Sequence, residues 1–334
     1  FYTLSHLHTA QRSLERGFTT IRCHSASARD YGIADVKQMI QRGAFKGSRL
    51  CIACHMLGTP GSHADSGQSF SGNPQYALLT QGINVETGAD FFRNAVRNEV
   101  KFGADFIKLF LSGGFSTPND GPEDQQMCDE EIEAVISTAK ALHKPVTAHV
   151  YAPELMNKLM DYGITGMEHG ALMDEETARR FERTDTYLVP TFVPYDDIIA
   201  GDEESLKKKS PQFRRKLEIY GKRLKESRQI IIDSKIRLGY GTDLVAVDQC
   251  YESWHEYESW MRSGMDPYRI LKAATSVNAG ILGMEDKIGT IEPGKEADLA
   301  GWHRDLLTDP LALKECNFVM KEGTVYEAAY QNMD

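Results

Sequence analysis

The sequence lacks several features that would place it in other classes of protein. Its 334 residues contain no run of eighteen apolar residues, so there is no candidate for a transmembrane helix. The first residues do not combine a charged segment with an apolar one, and we therefore expect no signal peptide. The chain also lacks an excess of positive charge, since 48 Asp and Glu outnumber 38 Lys and Arg and the formal net charge is −10. A chain this acidic is a poor partner for nucleic acid or for an anionic membrane.

Cysteine is present but forms no recognisable framework. The six cysteines are scattered along the chain, which favours a reducing compartment, and we predict a cytoplasmic location. Cys51 and Cys54 have CxxC spacing, but they lie within an apolar candidate strand and no second pair follows. We therefore favour a structural interpretation of this pair over a redox or zinc site.

The rest of the sequence alternates between strand-like and helix-like segments. The predicted strands are 18–22, 49–53, 106–114, 145–149, 166–169, 187–193 and 237–243. Helical patterns between them predict parallel βαβ units, and seven strands are one fewer than the eight of a (β/α)8 barrel. The predicted fold class is therefore α/β, a (β/α)8 TIM-type barrel with its first strand missing.

The end of the sequence has a different pattern, with short strands and turns predicted over 287–300 and 317–326. We assign residues 1–282 to the barrel and residues 283–334 to a small β module, part of a composite sandwich domain. Within the barrel, residues 57–83 are rich in Gly, Ser, Pro and Asn, and they are predicted to form a long functional loop.

Four residues that could bind a metal each close an apolar run at a predicted strand end: Lys108, His149, His169 and Asp243. In a parallel barrel these ends converge on one face, where active sites form. Two histidines and a carboxylate suit zinc or a similar divalent ion. Lys108 either points to solvent or has been altered chemically, because lysine is almost never fully buried otherwise. Ordinary packing explains any one of the four, but the set favours a functional site.

The motifs around these residues resemble the amidohydrolase superfamily. They are GFTTIR at 17–22, IK at 107–108, SGG at 112–114, AHVY at 148–151, EHG at 168–170, GTD at 241–243, AAT at 273–275 and IGTIEPGKEAD at 288–298. The similarity is greatest to the imidazolonepropionase-like and prolidase-like branch, which includes Xaa-Pro dipeptidases, arginine carboxypeptidases and ochratoxinase-type amidases. It covers nearly the whole chain and is specific for the family, but not for the substrate.

This resemblance implies a metal-dependent hydrolase with one or two divalent ions, such as zinc. It implies that Lys108 is carboxylated by CO2, so that its carbamate can bridge two ions. His149 and His169 would hold the second ion, and Asp243 would be a ligand of the first. A water molecule activated by the metal would then attack the substrate carbonyl.

The same resemblance implies further roles at the site. Asp243 would act as general base and then general acid, and Tyr151 would polarise the substrate carbonyl. His63 would meet a substrate carboxylate, although a solvated loop histidine is an equal interpretation. The implied substrate is a small molecule or dipeptide-like compound with a peptide-like or N-acyl amide bond. The sequence does not decide whether the chain forms a homo-oligomer.

The sequence departs from the family pattern at its start. The family has a His-x-His pair some tens of residues before the segment that begins here at Gly17, but only sixteen residues precede Gly17. His6 and His8 have this spacing within a predicted helix, and we interpret them as a coincidence. We therefore expect a fragment that lacks the first strand. His24 stands where the branch usually has Asp, and a metal contact there is a hypothesis.

Two alternative functions stay open. The first is a cyclic amidase or deaminase of the same superfamily. The second is a non-catalytic barrel that binds a ligand, which the missing His-x-His pair favours and the retained residues Lys108, His149, His169, Tyr151 and Asp243 disfavour. A measurement of bound metal distinguishes these hypotheses, because about two equivalents per chain would support the enzyme and none would support the binding protein.

Overall fold

The computed structural model describes residues 1–24, 30–65, 73, 75, 81–196, 199, 203–207 and 209–329. The strands in this part of the chain are β1 (Thr20–Cys23), β2 (Arg49–Ile52), β3 (Met56–Leu57), β4 (Ile107–Phe110), β5 (Val146–Val150), β6 (Gly166–His169), β7 (Tyr187–Val189), β8 (Leu299–Trp302), β9 (Cys316–Lys321) and β10 (Thr324–Tyr326). The α-helices are α1 (Tyr2–Glu15), α2 (Gly32–Gln41), α3 (Ala89–Lys101), α4 (Asp129–Ala141), α5 (Pro153–Asp161), α6 (Glu175–Phe181), α7 (Glu203–Lys207), α8 (Pro211–Asp233), α9 (Trp254–Arg262), α10 (Pro267–Lys272) and α11 (Asn278–Ile281).

The parallel strands form the wall of a barrel. β3 to β7 pair in sequence order in one sheet, and β1 pairs with β2 in another. The Asp105 amide donates to the Ile52 carbonyl (2.7 Å), which links the end of β2 to the start of β4. Leu238 forms a parallel bridge with Leu188 beside β7, and the ring of Tyr240 stacks on Phe18, just before β1. The α/β barrel predicted from the sequence is confirmed.

Burial on both faces explains why the central strands read as apolar runs. β4, β5 and β6 are buried along their whole length, as expected where helices cover one face of a parallel sheet and the barrel interior fills the other. Helix α3 buries Phe92 and Val96, one turn apart, on its inner face. Polar side chains on these strands therefore lie in a rigid interior that is shielded from solvent.

The predicted extent of three barrel strands was wrong. β4 ends at Phe110, although the prediction ran to 114. β7 ends at Val189, and residues Val193–Tyr195 form a 3₁₀ turn instead, because Pro190 and Pro194 lack the amide hydrogen that a strand ladder needs. The segment 237–243 makes only the bridge at Leu238, within a run interrupted by Gly239 and Gly241.

Another predicted segment also differs from the structure. Over 287–300 the structure has a strand only from Leu299, where β8 begins. The predicted loop at 57–83 falls partly outside the described residues, which omit 66–72, 74 and 76–80.

The predicted β module contains an antiparallel sheet in the order β10-β9-β8. Glu322 and Gly323 both have positive φ (53° and 76°), which is the geometry of a tight two-residue hairpin turn between β9 and β10. Arg49 of β2 reaches this region and binds Asp298 (3.0 Å) and Glu322 (2.9 Å). The domain boundary at 282 stays a prediction. In the described part of the chain, no helix has both the length and the apolar character needed to cross a membrane.

Candidate active site

The barrel brings three of the predicted metal ligands to neighbouring strands, although Lys108 is the second residue of β4 and not at its end as the sequence predicted. Lys108 lies in β4, His149 in β5 and His169 at the end of β6, and they are 3%, 3% and 4% exposed. The ring centroids of His149 and His169 are 4.6 Å apart, with the rings at 72° to each other. The two histidines predicted from the sequence therefore lie side by side in a buried setting.

Lys108 carries its amine into this apolar interior. Its Nζ lies 5.2 Å from the centroid of the Phe110 ring, and no ion-pair partner is found for it among the described residues. Burial lowers the pKa of Lys108 to about 8; Arg22 acts in the same direction, and Glu168 and Asp243 oppose it. An amine with this pKa is neutral in about a tenth of molecules at pH 7, a far larger share than for an ordinary lysine.

His149 has a nitrogen that is free to bind a ligand. Its Nε2 is buried and has no hydrogen-bond partner in the described part of the protein, while its ring stacks on Phe110 with centroids 4.7 Å apart. Burial holds the pKa of His149 well below its usual range, and the nearby His169 adds to this effect. An unpaired buried polar atom is rare and costly, and a neutral imidazole nitrogen is a good donor to a divalent metal ion.

His169 is oriented by a hydrogen bond on its other nitrogen. Its Nδ1 lies 2.7 Å from the Thr191 hydroxyl oxygen, which leaves Nε2 for a ligand, as in many metal-binding histidines. His169 and Thr191 have φ of 73° and 47°, a region that costs energy for side chains other than glycine. Burial lowers the pKa of His169 well below its usual range, so the ring is neutral.

Asp243 follows the segment in which Leu238 forms a parallel bridge with Leu188 of β7, and the backbone φ of Asp243 is 55°. Its side chain reaches solvent, yet enough protein surrounds it that desolvation raises the pKa of Asp243 to about 6. Lys108 opposes this rise in the pKa and Glu168 reinforces it, so Asp243 and Lys108 share one electrostatic environment. A carboxylate with this pKa is a suitable general base near neutral pH.

Tyr151 lies against the histidines and has a partner that the sequence did not indicate. Its ring stacks on His169 with centroids 5.3 Å apart, and its hydroxyl accepts a hydrogen bond from the Tyr195 hydroxyl (2.8 Å). Burial raises the pKa of Tyr151, so its hydroxyl keeps its proton. Tyr195 lies in the 3₁₀ turn after β7, whose first amides, at Phe192 and Val193, donate to a buried glutamate, Glu256 (2.6 and 3.0 Å).

His63 also joins the site. Its half-buried ring stacks on His149 with centroids 4.6 Å apart, and its Nδ1 lies 3.0 Å from the Thr117 hydroxyl oxygen. Burial lowers the pKa of His63 to about 4; Lys216 and Lys108 act in the same direction and Asp120 opposes them. The ring is therefore neutral, which gives no charge attraction to a substrate carboxylate.

A buried ion pair next to the site was missed by the sequence interpretation. Glu168 is 2% exposed and accepts hydrogen bonds from Arg22 (2.7 Å) and from the Thr147 hydroxyl (2.6 Å). The signal was the same as for Lys108, namely a charged residue within a short apolar strand. His24 lies close by, with Nε2 3.6 Å from a Glu168 oxygen, and the hypothesis of a metal contact at His24 stays a prediction.

The other histidine and cysteine pairs of the sequence lie elsewhere. His6 and His8 are in α1, and His8 is exposed with its ring edge-on to Tyr251 (5.5 Å). That their spacing is a coincidence stays a prediction. Burial raises the pKa of both Cys51 and Cys54 to about 12, which disfavours the thiolate forms that redox or zinc chemistry requires.

Comparison with known proteins gives consistent matches. The model of the amidohydrolase family matches residues 5–327. Ochratoxinase from Aspergillus niger is 25% identical over 330 residues, which are 94% of this chain and 66% of the relative. The chain thus spans just under two thirds of the length of these curated relatives.

Solved structures are similar over a larger share of their length. A Xaa-Pro dipeptidase with bound methionine in its active site is 28% identical, with a TM-score of 0.82 over 96% of this chain and 78% of that chain. A prolidase in complex with N-methylphosphonate-L-proline is 26% identical, with a TM-score of 0.81 and the same two coverages, 96% and 78%.

Proposed function

Because this chain belongs to the amidohydrolase family, we propose that it is a metal-dependent hydrolase of peptide-like or N-acyl amide bonds. Lys108 carries the proposal. A buried ammonium group with no ion-pair partner among the described residues is costly, and its electrostatic interactions with His149, His169 and Asp243 are hard to explain by packing alone. Conversion of this amine to an anion that binds metal would remove the cost.

The residues present fit such a metal centre. The neutral amine of Lys108 would attack the carbon of CO2 and lose a proton, which yields a carbamate with two ligand oxygens. The unpartnered Nε2 of His149 and the Nε2 of His169 would add nitrogen ligands, and Asp243 would add an oxygen. This mixed donor set suits zinc. Among the described residues, no group of three His, Cys, Asp or Glu side chains is arranged for a metal, and the proposal adds the carbamate oxygens of Lys108 to this set.

A divalent ion bound there would supply a water molecule that is nucleophilic at neutral pH. The chain itself would manage the protons. Asp243, ionised above about pH 6, is suited to take the proton of the attacking water and pass it to the leaving amine. Tyr151 is suited to stabilise the carbonyl oxygen, because Tyr195 already donates to its hydroxyl oxygen and its own proton remains available.

The relatives guide the substrate class. Their names include a Xaa-Pro dipeptidase, a prolidase and an ochratoxinase, and on that basis we propose dipeptide-like and N-acyl amino acid substrates for this chain.

Metal analysis combined with a substrate panel tests the proposal. The chain is produced with zinc and bicarbonate, its metal content is measured by mass spectrometry, and amine release is followed for dipeptides and N-acyl amino acids. We expect up to about two equivalents of metal per chain and loss of most metal and activity in Lys108→Ala. Lys321→Ala is the matched control, because Lys321 is a buried lysine whose Nζ donates to the Gly47 carbonyl (2.8 Å), away from the strand ends that carry the site.

The possible results separate the hypotheses. Full metal content in Lys108→Ala would contradict the carboxylated lysine. A wild-type chain that binds no metal and cleaves nothing would favour the non-catalytic binding barrel.

A further inference from the structure

The segment 191–195, which follows β7, carries the tyrosine that donates to Tyr151. We propose that Glu256 is a positioning residue that holds this segment so that the Tyr195 hydroxyl reaches the Tyr151 hydroxyl. The inference rests on the proposed amide hydrolysis, in which Tyr151 stabilises the carbonyl oxygen of the substrate. It adds a residue of α9 that touches neither the substrate nor a metal ligand and acts through Tyr195.

The backbone of this segment cannot fix its own position against the site. Pro190 and Pro194 have no amide hydrogen to donate to a neighbouring strand. Thr191 has a φ of 47°, which costs energy for a residue other than glycine and persists only where the surroundings enforce it. The Tyr195 amide donates to the Phe192 carbonyl (3.0 Å), which closes the turn but does not attach it to the barrel. The position of Tyr195 therefore depends on contacts from other elements.

Glu256 provides such a contact from α9. It is fully buried, and its two oxygens accept hydrogen bonds from the Phe192 amide (2.6 Å) and the Val193 amide (3.0 Å). The Trp260 indole N–H, one helical turn further along α9, also donates to Glu256. All three donors are uncharged, so this carboxyl group binds two consecutive backbone amides and an indole instead of an opposite charge. The two amides lie three and two positions before Tyr195.

Only a carboxyl group satisfies both amides. Burial raises the pKa of Glu256 to about 8, and the hydrogen bonds from Val193, Phe192 and Trp260 oppose this rise. A carboxyl group can accept on both oxygens whether or not it carries a proton, so the contact is available in either form. Glutamine has one oxygen and an NH2 group that only donates, and it would place an N–H against one of the donors. Glu256→Gln therefore removes one of these contacts with little change in size.

Helix α8 holds the opposite side of the segment. Arg228 donates to the Phe192 carbonyl (2.7 Å) and to Asp196 (2.7 Å), and its guanidinium carbon lies 4.5 Å from the centroid of the Phe192 ring. Ser259 of α9 also donates to Asp196 (2.7 Å). The amides of the segment are thus bound from α9 and its carbonyl from α8, and together these contacts fix the place of Tyr195.

Carbon NMR of the full chain tests the link without turnover. Tyrosine is labelled with 13C at Cζ, and the Tyr151 signal is identified by its loss in Tyr151→Phe. In Tyr195→Phe the Tyr151 signal should move, because its hydroxyl loses the hydrogen bond from Tyr195. We expect Glu256→Gln to move the Tyr151 signal in the same direction.

Glu131→Gln is the matched control for this measurement. Glu131 is also buried, and its two oxygens accept the backbone amides of Gly88 (2.7 Å) and Cys128 (2.9 Å), which lie outside the segment 191–195. Its replacement should leave the Tyr151 signal in place. A Tyr151 signal that does not move in folded Glu256→Gln, or that moves as much in Glu131→Gln, would overturn the inference. If Glu256→Gln does not fold, the same criterion applies to Glu256→Asp, whose carboxyl group is one methylene shorter.

A double-mutant cycle tests the effect on catalysis. Glu256→Gln should lower kcat about tenfold and leave KM nearly unchanged, as expected for one hydrogen bond that matters in the transition state. Tyr195→Phe should give a similar loss, and the double variant should lose little more than either single variant, because both changes act through the same contact. Losses that multiply to about a hundredfold would show that Glu256 acts independently of Tyr195, and would overturn the inference. Absence of hydrolysis in the wild type would count against the proposed function alone, since the NMR comparison needs no turnover.

Discussion

Replacing Lys108 with methionine should stabilise the metal-free protein while it removes the proposed activity. Lys108 is 3% exposed, and burial lowers its pKa from 10.5 to about 8. A lysine whose pKa is lower in the folded protein than in the unfolded protein disfavours folding. The effect is present at every pH at which the amine is protonated in both states. The penalty is full below about pH 8 and fades as the pH rises to the unfolded value.

The size of this penalty follows from the shift in pKa. A change of about 2.5 pKa units at about 1.36 kcal/mol per unit corresponds to about 3 kcal/mol. Methionine has a similar length and no charge, so it can fill the same space. This value already includes the favourable interactions of Lys108 with Glu168 and Asp243, which oppose the lowering of its pKa. We expect Lys108→Met to raise the free energy of unfolding by about 1–3 kcal/mol at pH 7, and by little near pH 11.

Urea unfolding of chelator-treated protein in bicarbonate-free buffer measures this difference across pH. Lys321→Met is the control, since Lys321 is 5% exposed but donates to the Gly47 carbonyl (2.8 Å). Burial also lowers the pKa of Lys321, but its loss leaves the Gly47 carbonyl unpaired, so Lys321→Met should gain less stability than Lys108→Met. If Lys108→Met were no more stable than the wild type at pH 7, or if its gain did not change with pH, the burial argument for Lys108 would be refuted.

Two further predictions concern the base and the N-terminal histidines. Asp243→Asn should keep much of the metal through His149 and His169 but lower turnover by on the order of a hundredfold. Wild-type kcat/KM should fall below about pH 6, as Asp243 is protonated, and an unchanged acid limb in Asp243→Asn would remove it from the mechanism. The double variant His6→Ala, His8→Ala should leave metal content unchanged, and loss of one equivalent would make the pair ligands.

The sequence predicted the barrel and its strand-end residues because one physical rule connects them. A polar residue that closes an apolar run lies where a buried strand reaches the rim, and parallel strands bring their rims together. This rule placed His149 and His169 side by side, as their ring centroids 4.6 Å apart show, whereas Lys108 lies inside β4, the strand that pairs with β5. Their ligand roles stay predictions.

The rule that polar residues end apolar runs could not identify site residues that lie in loops and turns. Tyr195 reaches Tyr151 from a 3₁₀ turn, and Thr117 reaches His63 across 54 positions of sequence. No periodic pattern encodes such contacts, because they depend on the path of a loop and on the helix that supports it. The strand predicted at 237–243 was too long for a related reason. The hydropathy pattern shows which residues are apolar, but it does not show how many hydrogen bonds the backbone forms with a neighbouring strand.

The contacts of Arg49 have a consequence for how this barrel is assembled during synthesis. Arg49 binds Asp298 and Glu322, which follow it by 249 and 273 residues. β1 and β2 therefore leave the ribosome well before the acidic residues that Arg49 binds, which lie in the segment assigned to the C-terminal β module. A two-stranded sheet is marginal by itself, and its open edges can pair with other chains. β1 and β2 are therefore made long before their contacts with Asp298 and Glu322 can form, and a delay in translation would lengthen the time during which they can aggregate.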